Sequence, residues 1–313
     1  MHLLPMKYFA AVAAHQGISR AAQALFLTQQ TLSAHMAALE KELGCTLFLR
    51  RPAFRLTPEG EVFLDYCQRF LALDSAMHQT FGDLARRPAG PLRVGISQTR
   101  SAILMPGIAL RCREACPGLE IRISESTNDQ LLRMLERDEL DAVIGNLPEE
   151  VPELDRKVLY REEMVLAVPR TGPFAGLDPG LGPDVLLDRA RDLPFIMNTR
   201  NDIAGRYGTQ ILAQHSIVPK TAAVSDSAET CLEMCRRGLG LYICPDLYLR
   251  HFLDLRKALA VVPLGVTYPI DLAWRKGLYV TAALRAFADA CGEETAALSA
   301  RAGTPAPGPA GQG

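Results

Sequence analysis

Uncharged polar side chains that both donate and accept hydrogen bonds cluster between residues 28 and 35. Thr28 is a good N-cap, and apolar residues spaced four, three and four apart predict a helix with one buried stripe: Leu32, Met36, Leu39 and Leu43. The opposite side of its first turns carries Gln29, Gln30 and Ser33. Glutamine can bond bidentately to adenine, and serine can donate or accept. This pattern is typical of a helix that reads base edges, although an ordinary solvated helix face has the same composition.

An arginine-rich hairpin is predicted directly after this helix. Gly44 ends the helix, residues 47–51 are strand-like, Pro52-Ala53 turns the chain and residues 54–56 return. Three arginines lie at the tip and edges of the hairpin: Arg50, Arg51 and Arg55. Arginines in such a wing can bind phosphates or enter a minor groove.

Two shorter helices complete the predicted winged helix-turn-helix of residues 1–58, called the head below. Apolar spacing predicts the first helix, which Gly17 ends, and Ser19 is a good N-cap for a second helix over residues 20–25. The candidate DNA-contacting residues come from the second helix, the third helix and the wing: Ser19, Arg20, Thr28, Gln29, Gln30, Thr31, Ser33, Ala34, His35, Arg50, Arg51 and Arg55.

The distribution of charge favours a polyanionic partner at one end of the chain. The 313 residues have a formal net charge of −1, which alone indicates nothing about nucleic acid. The head holds six basic residues against two acidic ones, a net charge of +4. The remainder holds 28 basic and 33 acidic residues, a net charge of −5. A small basic head on an acidic remainder suits contact with DNA through the head.

Residues 59–88 are predicted to form one long linker helix. Thr57 supplies an N-cap, Pro58 the first helical position and Glu59 an acid in the first turn. Apolar residues recur every seven positions: Phe63, Phe70, Met77 and Leu84. Such heptads form a seam against a partner helix. A reader of two half-sites generally binds as a symmetric dimer, so pairing with a second copy is favoured over packing against the chain's own remainder.

Many positions of the head follow one spaced pattern. The pattern comprises Tyr8-Phe9, Val12-Ala13, Ser19-Arg20-Ala21-Ala22, Leu25, Thr28-Gln29, Leu32-Ser33, Leu39-Glu40, Leu43-Gly44, Leu47 to Arg51 and Leu56 to Gly60. It resembles the DNA-binding domain of LysR-type transcriptional regulators, and the resemblance extends more loosely over the rest of the chain up to the tail. Three positions depart from the family: Gln30, where proline or serine is frequent, Ala34, where a basic residue is frequent, and His35. These departures bear on which half-site is read.

The family resemblance implies a function and a set of partners. A LysR-type chain would be a ligand-responsive, sequence-specific regulator of transcription located in the cytoplasm. Its partners would be double-stranded operator DNA, a small-molecule effector and further copies of itself, as a homodimer or homotetramer. An activator of this type would also contact RNA polymerase. No cofactor is implied.

From residue 91 to about 298, a segment called the body below, strand-like and helix-like runs alternate. The first runs are a strand at 92–96, a helix from about 102 to 115, a strand at 120–124, a helix at 128–138 and a strand at 141–145. This order predicts parallel pairing with right-handed crossovers. We expect two α/β subdomains, residues 91–165 plus 268–298 and residues 166–267, with crossings near 165–170 and 263–270. The resemblance implies a periplasmic-binding-protein-like effector domain with a cleft between them.

Ligands of open α/β sheets sit at the carboxyl ends of strands, against helix N-termini. That rule selects the following candidate effector-binding residues: Ser97, Gln98, Thr99, Arg100, Ser101, Ser126, Thr127, Asn146, Asn198, Thr199, Arg200 and Asp226. Hydroxyls, amides and two arginines in such places suit a small anion, for example an organic acid. The alternative is that the hydroxyls only cap helices and the arginines point into solvent.

Other classes of function receive little support from the sequence. The body has no glycine-rich phosphate loop, no G-x-S-x-G and no HExxH, which disfavours an enzyme. The pairs Cys112/Cys116 and Cys231/Cys235 could form metal or redox sites, but no ligand-spaced His or Asp accompanies them, so small buried core residues are the favoured interpretation. The absence of a signal segment and of a long apolar span argues against a bare solute-binding protein and a membrane protein. Residues 299–313 are predicted to be a disordered Pro/Gly/Ala tail.

Overall fold

The computed structural model describes residues 3–49, 53–84, 91–200, 202–251, 258–277 and 279–301. The chain divides into two compact units, one formed mainly by residues 1–90 and one by most of the remainder, and each is described by itself. Predictions for Arg50, Arg51 and residues 302–313 lie outside the described residues. None of the described helices has both the length and the apolar composition of a membrane span.

Three helices around one small core form the head. They are α1 (Leu3–Ala14), α2 (Ile18–Ala24) and α3 (Gln29–Leu43). The predicted stripe of α3 is buried at Leu32, Met36 and Leu39, where it meets apolar residues of α1 and α2. Phe9 lies at the centre of this core, with its ring 4.9 Å from that of Phe48.

The ends of α3 match the sequence prediction, whereas the start of α2 does not. Thr28 Oγ1 accepts a hydrogen bond from the Thr31 amide at 3.1 Å, and Gly44 ends the helix with φ +70°. A left-handed φ of this size favours glycine because it has no Cβ. Ser19 was predicted to cap α2, which is wrong: the N-cap is Gly17, and Ser19 lies inside the helix.

The wing is a short antiparallel pair of strands, β1 (Phe48–Leu49) and β2 (Arg55–Leu56). Thr57 fixes the junction with the next helix, since its Oγ1 donates to Thr46 O at 2.7 Å and accepts from the Gly60 amide at 2.9 Å. A Cβ at position 60 would collide with the Leu47 carbonyl, so the close packing of helix on strand requires glycine there. The predicted Thr57-Pro58-Glu59 helix start is confirmed in place.

The long helix α4 (Pro58–Leu84) begins at the predicted residue and exposes an apolar stripe. Its large exposed side chains are Val62, Tyr66, Phe70, Leu73, Met77 and Phe81. Phe63 was predicted to belong to a pairing seam, but it is only 8% exposed and its ring lies 4.9 Å from Phe9. That prediction is wrong because Phe63 belongs to the head core. The Leu84 side chain lies outside what the structure describes.

One eight-stranded mixed sheet runs through the body. The strands are β3 (Leu92–Ile96), β4 (Ile121–Glu125), β5 (Ala142–Gly145), β6 (Leu154–Pro169), β7 (Pro194–Asn198), β8 (Lys220–Ser225), β9 (Leu241–Pro245) and β10 (Leu259–Arg275). The helices are α5 (Gln98–Ala115), α6 (Asn128–Glu136), α7 (Pro183–Ala190), α8 (Ile203–Gln214), α9 (Ala228–Arg236), α10 (Asp246–His251) and α11 (Ala282–Arg301). The strand order is β4-β3-β5-β10-β6-β9-β7-β8.

The order of the sheet separates two α/β lobes. β4, β3 and β5 pair in parallel and define lobe one, whereas β8, β7 and β9 pair in parallel and define lobe two. The long strands β6 and β10 run antiparallel between them and join the lobes. Their register shifts between Pro263 and Thr267, within the predicted second crossing. The exact subdomain boundaries stay a prediction.

Two predicted boundaries in the body are wrong. α5 begins at Gln98 and not near residue 102, so residues 98–101 are its first turn and not a loop. α11 continues to Arg301, so residues 299–301 are helical and do not belong to a disordered tail. Both errors have the same cause, because polar residues at a helix end look like a loop when no tertiary packing is known.

A buried ion pair connects α5 to the crossover strands. Arg100 is 0% exposed and Glu162 on β6 is 1% exposed. Arg100 Nη2 donates to Glu162 Oε2 at 2.7 Å, and Arg100 Nε donates to Glu162 Oε1 at 3.1 Å. The hydroxyls of Tyr160 and Tyr268 donate to the two carboxylate oxygens at 2.7 and 2.6 Å. Every oxygen of this carboxylate is therefore satisfied, as a buried charge requires.

The pKa values of the side chains in this cluster are shifted by burial and by the charges of Arg100 and Glu162. Burial lowers the pKa of Arg100, but the charge of Glu162 more than offsets that effect and holds it above its usual range. Burial and the neighbouring carboxylate both raise the pKa values of Tyr160 and Tyr268. The tyrosines thus remain protonated donors, and Arg100 remains charged beside Glu162.

We expect Glu162→Gln to lower the free energy of unfolding of the body by about 3–5 kcal/mol, because it leaves a buried guanidinium without its counter-charge. Urea denaturation of the full chain measures the change. The control is Glu120→Gln, which breaks the exposed pair with Arg122 (2.8 Å) and should cost less than about 1 kcal/mol. Equal effects of the two substitutions would contradict this account.

Candidate functional site

The exposed face of α3 carries the predicted base-reading residues. Gln29, Gln30 and Ala34 are exposed there, together with Thr28 and Thr31. Ser33 and His35 are half-buried. The structure therefore brings two glutamine amides and several hydroxyls to the N-terminal end of one helix, where major-groove readers place their contacts.

Gln29 is held by a residue of the preceding helix. The Ser19 hydroxyl donates to Gln29 Oε1 at 2.9 Å, across ten residues of sequence. This bond occupies one acceptor position of the amide and leaves both Nε2 hydrogens without a partner among the described residues. The structure gives the Ser19 hydroxyl a contact that positions Gln29, and the predicted direct contact of Ser19 with DNA stays a prediction. The bond to Gln29 was missed because Ser19 was predicted to cap α2. A capping hydroxyl bonds to a backbone N–H of its own helix and is not available to another helix.

The basic residues of the head differ in how they are held. Arg20 is exposed, and its Nη2 donates to the Gln16 carbonyl at 2.8 Å, close to the start of α2. Arg55 is exposed on strand β2 of the wing. Both guanidinium groups are thus on the surface of the head and keep N–H donors available for phosphates.

A shallow hollow lies on the same face of α3. It has a volume of about 440 Å³ and is lined by Gln30, Thr31, Ala34 and His35. The His35 ring stands edge-on to Tyr8 of α1, with the ring centroids 5.0 Å apart. This aromatic contact fixes the wall of the hollow to the head core.

In the body, the predicted cleft residues after β3 are not equivalent. Arg100 is engaged by Glu162, and its Nη1 donates to Ser97 Oγ at 2.9 Å. Ser101 is buried, Thr99 is half-buried and Gln98 is exposed. In this conformation Arg100 and Ser97 bond to each other and to the buried ion pair inside the body. Arg100 has no exposed surface that an anion could contact.

Two asparagines at strand ends also form hydrogen bonds with other residues of the body. Asn198 donates through Nδ2 to Ser225 O at 2.9 Å and accepts at Oδ1 from the Tyr242 hydroxyl. Asn146 donates through Nδ2 to Pro269 O at 3.1 Å. Ser126 donates to Gln130 of the same lobe. These contacts brace strand ends. The other predicted cleft residues with exposed or half-buried side chains are Gln98, Thr99, Thr127, Thr199, Arg200 and Asp226.

A bridge between the two lobes involves a residue that sequence reasoning missed. Arg206, in the first turn of α8, donates through Nη2 to Asn146 Oδ1 at 2.6 Å. The neighbouring Tyr207 ring stacks on Tyr268 with centroids 4.5 Å apart. Arg206 is exposed, and among the described residues it has no carboxylate within ion-pair distance. Arg206 follows the helix start by one turn, so a rule that selects only the residues directly after a strand does not reach it.

A carboxylate lies beside this bridge at the N-terminus of α8. Asp202 is the N-cap of α8 and accepts from the Ala204 amide at 3.3 Å. Burial raises its pKa, while the backbone N–H groups and the charge of Arg100 act in the opposite direction. Asp202 therefore lies close enough to Arg100 and Glu162 for their charges to act on its pKa.

All eight cysteines are free, and six of them are buried. Burial raises the pKa of Cys67 and Cys235 to about 12, and of Cys112 and Cys231 to about 11. Cys235 Sγ donates to the Ala167 carbonyl at 3.4 Å, as a core thiol does. Among the described residues, no group of three His, Cys, Asp or Glu side chains is arranged to hold a metal ion.

Two family models match consecutive parts of the chain. The "bacterial regulatory helix-turn-helix protein, lysR family" matches residues 3–61, and the "LysR substrate binding domain" matches residues 85–296. The first match covers the head and the start of α4, and the second covers both lobes of the body. Together they span the chain up to the last turns of α11.

Similar proteins are named as regulators of transcription. An uncharacterized HTH-type transcriptional regulator, YcgK, of Bacillus subtilis is 26% identical over 264 residues, which is 80% of this chain and 82% of that protein. A probable hydrogen peroxide-inducible genes activator of Mycobacterium xenopi is 35% identical over 176 residues, which is 56% of this chain and 93% of that protein.

Solved structures give the same result for the fold. A cysteine-to-aspartate variant of full-length OxyR from Pseudomonas aeruginosa is 25% identical, with a TM-score of 0.68 over 93% of this chain and 94% of that one. CbnR bound to its target DNA is 22% identical, with a TM-score of 0.66 over 94% and 100%. Head, long helix and two-lobed body all follow the family, so the chain belongs to the LysR family of ligand-responsive, DNA-binding transcriptional regulators and is not an enzyme.

Proposed function

We propose that α3 reads operator DNA through the amides of Gln29 and Gln30, with the arginines of the wing on the phosphates. The observation that carries this proposal is the hydrogen bond from Ser19 to Gln29, which orients an exposed amide before DNA arrives. Preorganisation of this kind lowers the entropy lost on binding. The wing arginines Arg50, Arg51 and Arg55 would then set affinity without choosing sequence.

The second part of the proposal concerns the effector, a small anion such as an organic acid. Arg100 and Arg200 were the two predicted arginines, and Glu162 already satisfies the guanidinium of Arg100. Arg206 is a better candidate, because it is exposed, lacks an acidic partner among the described residues and already reaches from lobe two to Asn146 in lobe one. An anion bound by Arg206 would compete with Asn146 and so alter the contact between lobes.

The third part of the proposal is self-association through α4. Its six large apolar side chains, spaced by four or three residues, form one exposed stripe from Val62 to Phe81. Leu73 and Phe81 are 63% and 64% exposed, which is unusual for large apolar residues of a soluble helix. A second copy of the same helix covers such a stripe symmetrically, and a dimeric reader matches two half-sites.

Peroxide sensing, which the names of some relatives mention, is not part of the proposal. The thiolate is the form of cysteine that reacts with peroxide. The six buried thiols have raised pKa values and are therefore protonated near neutral pH. The environment of these six thiols is that of core residues, which does not favour a reaction with peroxide.

We expect Gln29→Ala to weaken operator binding by about 1–3 kcal/mol and to relax specificity at one base pair. Ser19→Ala should relax the same base pair to a smaller extent, because it frees the amide without removing it. Gln23→Ala, at an exposed glutamine of α2, is the matched control. Binding to an operator and to its single-base variants measures these effects. Unchanged specificity of Gln29→Ala would show that α3 is oriented differently in the groove.

Arg55→Ala should weaken binding to every DNA sequence by a similar factor, since phosphates carry no base identity. The slope of log affinity against log salt should become shallower by about one. Titrations at several salt concentrations, with specific and random duplexes, measure both quantities. A loss confined to one sequence would contradict a phosphate contact.

Arg206→Ala should lower the affinity for an organic acid by about tenfold or more, the usual scale for losing a charged hydrogen bond. The effector is first found by thermal shift against a panel of organic acids and their neutral amides. Arg113→Ala, in the last turn of α5 and so at the end away from the strand ends, is the control. Stabilisation by the amides alone would overturn the choice of an anion.

Phe70→Glu combined with Met77→Glu should convert the dimer to monomers, because two buried carboxylates per helix cannot be desolvated in an apolar seam. Sedimentation of the full chain measures the mass. His78→Glu adds a charge on α4 outside the stripe and should leave the assembly intact. Retention of the dimer by the double variant would exclude the stripe as the pairing surface.

A further inference from the structure

We propose that the effector of this chain is a small amino acid, whose carboxylate binds Arg206 and whose ammonium group binds Asp202. The inference rests on the proposed anion site at Arg206, keeps the carboxylate of that proposal and adds a positive charge to the same molecule. Asp202 is the N-cap of α8, and Arg206 lies one turn further along that helix.

The placement of the two side chains on α8 is the first support. Residues four apart lie on the same side of a helix, and the Arg206 amide donates to the Asp202 carbonyl at 2.9 Å. Opposite charges with this spacing commonly pair. Arg206 Nη2 instead bonds to Asn146 Oδ1 at 2.6 Å, and these two described side chains form no ion pair with each other. The first turn of α8 therefore holds a cation and an anion that do not neutralise one another.

The surroundings of the Asp202 carboxylate are the second support. Asp202 is half-buried, and burial raises its pKa. The charges of Arg100 and Glu162 act on that pKa in opposite directions, because these two residues form an ion pair with each other. Within the part of the chain that the structure describes, no Lys, Arg or His lies within ion-pair distance of Asp202. A half-buried carboxylate without a counter-charge is stabilised when a cation binds to it.

The N-terminus of α8 is not open to a second anion. Helix N-termini attract anions, but here Asp202 itself accepts from the Ala204 amide at 3.3 Å. A Cβ at position 205 would collide with the Thr199 carbonyl, so the chain before α8 packs directly onto its first turn. An effector with only a carboxylate would bind Arg206 and be repelled by Asp202. An ammonium group on the same molecule converts that repulsion into attraction.

The two charges of α8 also indicate which class of small molecule fits. An α-amino acid carries its ammonium and its carboxylate on one carbon atom, so one small molecule can contact both charged groups of a single helical turn. A dicarboxylate would place a second negative charge near Asp202, and a diamine would place a positive charge near Arg206. The geometry points to a zwitterion.

Matched sets of three compounds test the proposal: an amino acid, the carboxylic acid that lacks its amino group and the amine that lacks its carboxylate. Calorimetric titration of the full chain, with sets built on the common protein amino acids, measures the affinities. We expect one amino acid to bind about tenfold or more tightly than its deaminated acid, since a charged hydrogen bond separates the two. The decarboxylated amine should lose at least as much, because it offers Arg206 no carboxylate.

Asp202→Asn connects this preference to α8. Asparagine caps helices as well as aspartate does, so the variant removes the charge and keeps the cap. It should bind the amino acid about tenfold more weakly, and the deaminated acid no more weakly, than the wild-type chain does. Asp184→Asn is the matched control, because its carboxylate lies 3.7 Å from His215 Nε2 at the other end of α8. It should leave every affinity unchanged.

The outcomes separate this inference from the proposed function. Equal affinities for each amino acid and its deaminated acid overturn the ammonium contact and leave the anion site at Arg206 intact. A preference for the amino acid that persists in Asp202→Asn shows that another residue binds the ammonium, which also overturns the inference. Binding of the amines alone, or of no compound in any set, overturns the ammonium contact together with the proposed site at Arg206.

Discussion

The pair formed by Arg100 and Glu162 is the interaction on which the body depends. It joins the first turn of α5 to the strand that crosses between lobes, and both tyrosines that complete it lie on the crossover strands. A buried pair of this kind adds little net stability compared with apolar residues, but it tolerates only one arrangement of its donors. It therefore fixes where the strand ends of the two lobes lie, and thereby which residues remain free for a ligand.

That constraint explains why the cleft was the least predictable part. Ser97, Asn146 and Asn198 follow strands as predicted, because the order of strands and helices places them there, whereas their contact with an effector stays a prediction. Whether a polar side chain at such a position is free depends on partners far away in sequence, such as Glu162 or Tyr242. Spacing along the chain contains no information about those partners. The sequence therefore predicted Arg100 as a ligand-binding residue and did not predict Arg206.

The head was more predictable because its determinants are local. Thr28, Gly44 and Thr57-Pro58-Glu59 set helix ends by caps and by backbone conformation, and each is found as expected. The predictions for the head were wrong where a contact with a residue distant in sequence determines what a side chain does. Ser19 is a residue type that often caps helices, but its hydroxyl bonds to Gln29. Phe63 fits the heptad spacing of a pairing helix, but its ring packs on Phe9. Periodicity identifies an apolar residue without identifying which surface covers it.

Fold and specificity therefore draw on different residues of the same helix. The stripe of α3 is fixed by the core, so its residues cannot vary without a cost in packing. The exposed side chains of Gln30 and Ala34 on its outer face have no such restriction. A change at either position can therefore alter which base is read while the packing of the head core stays the same.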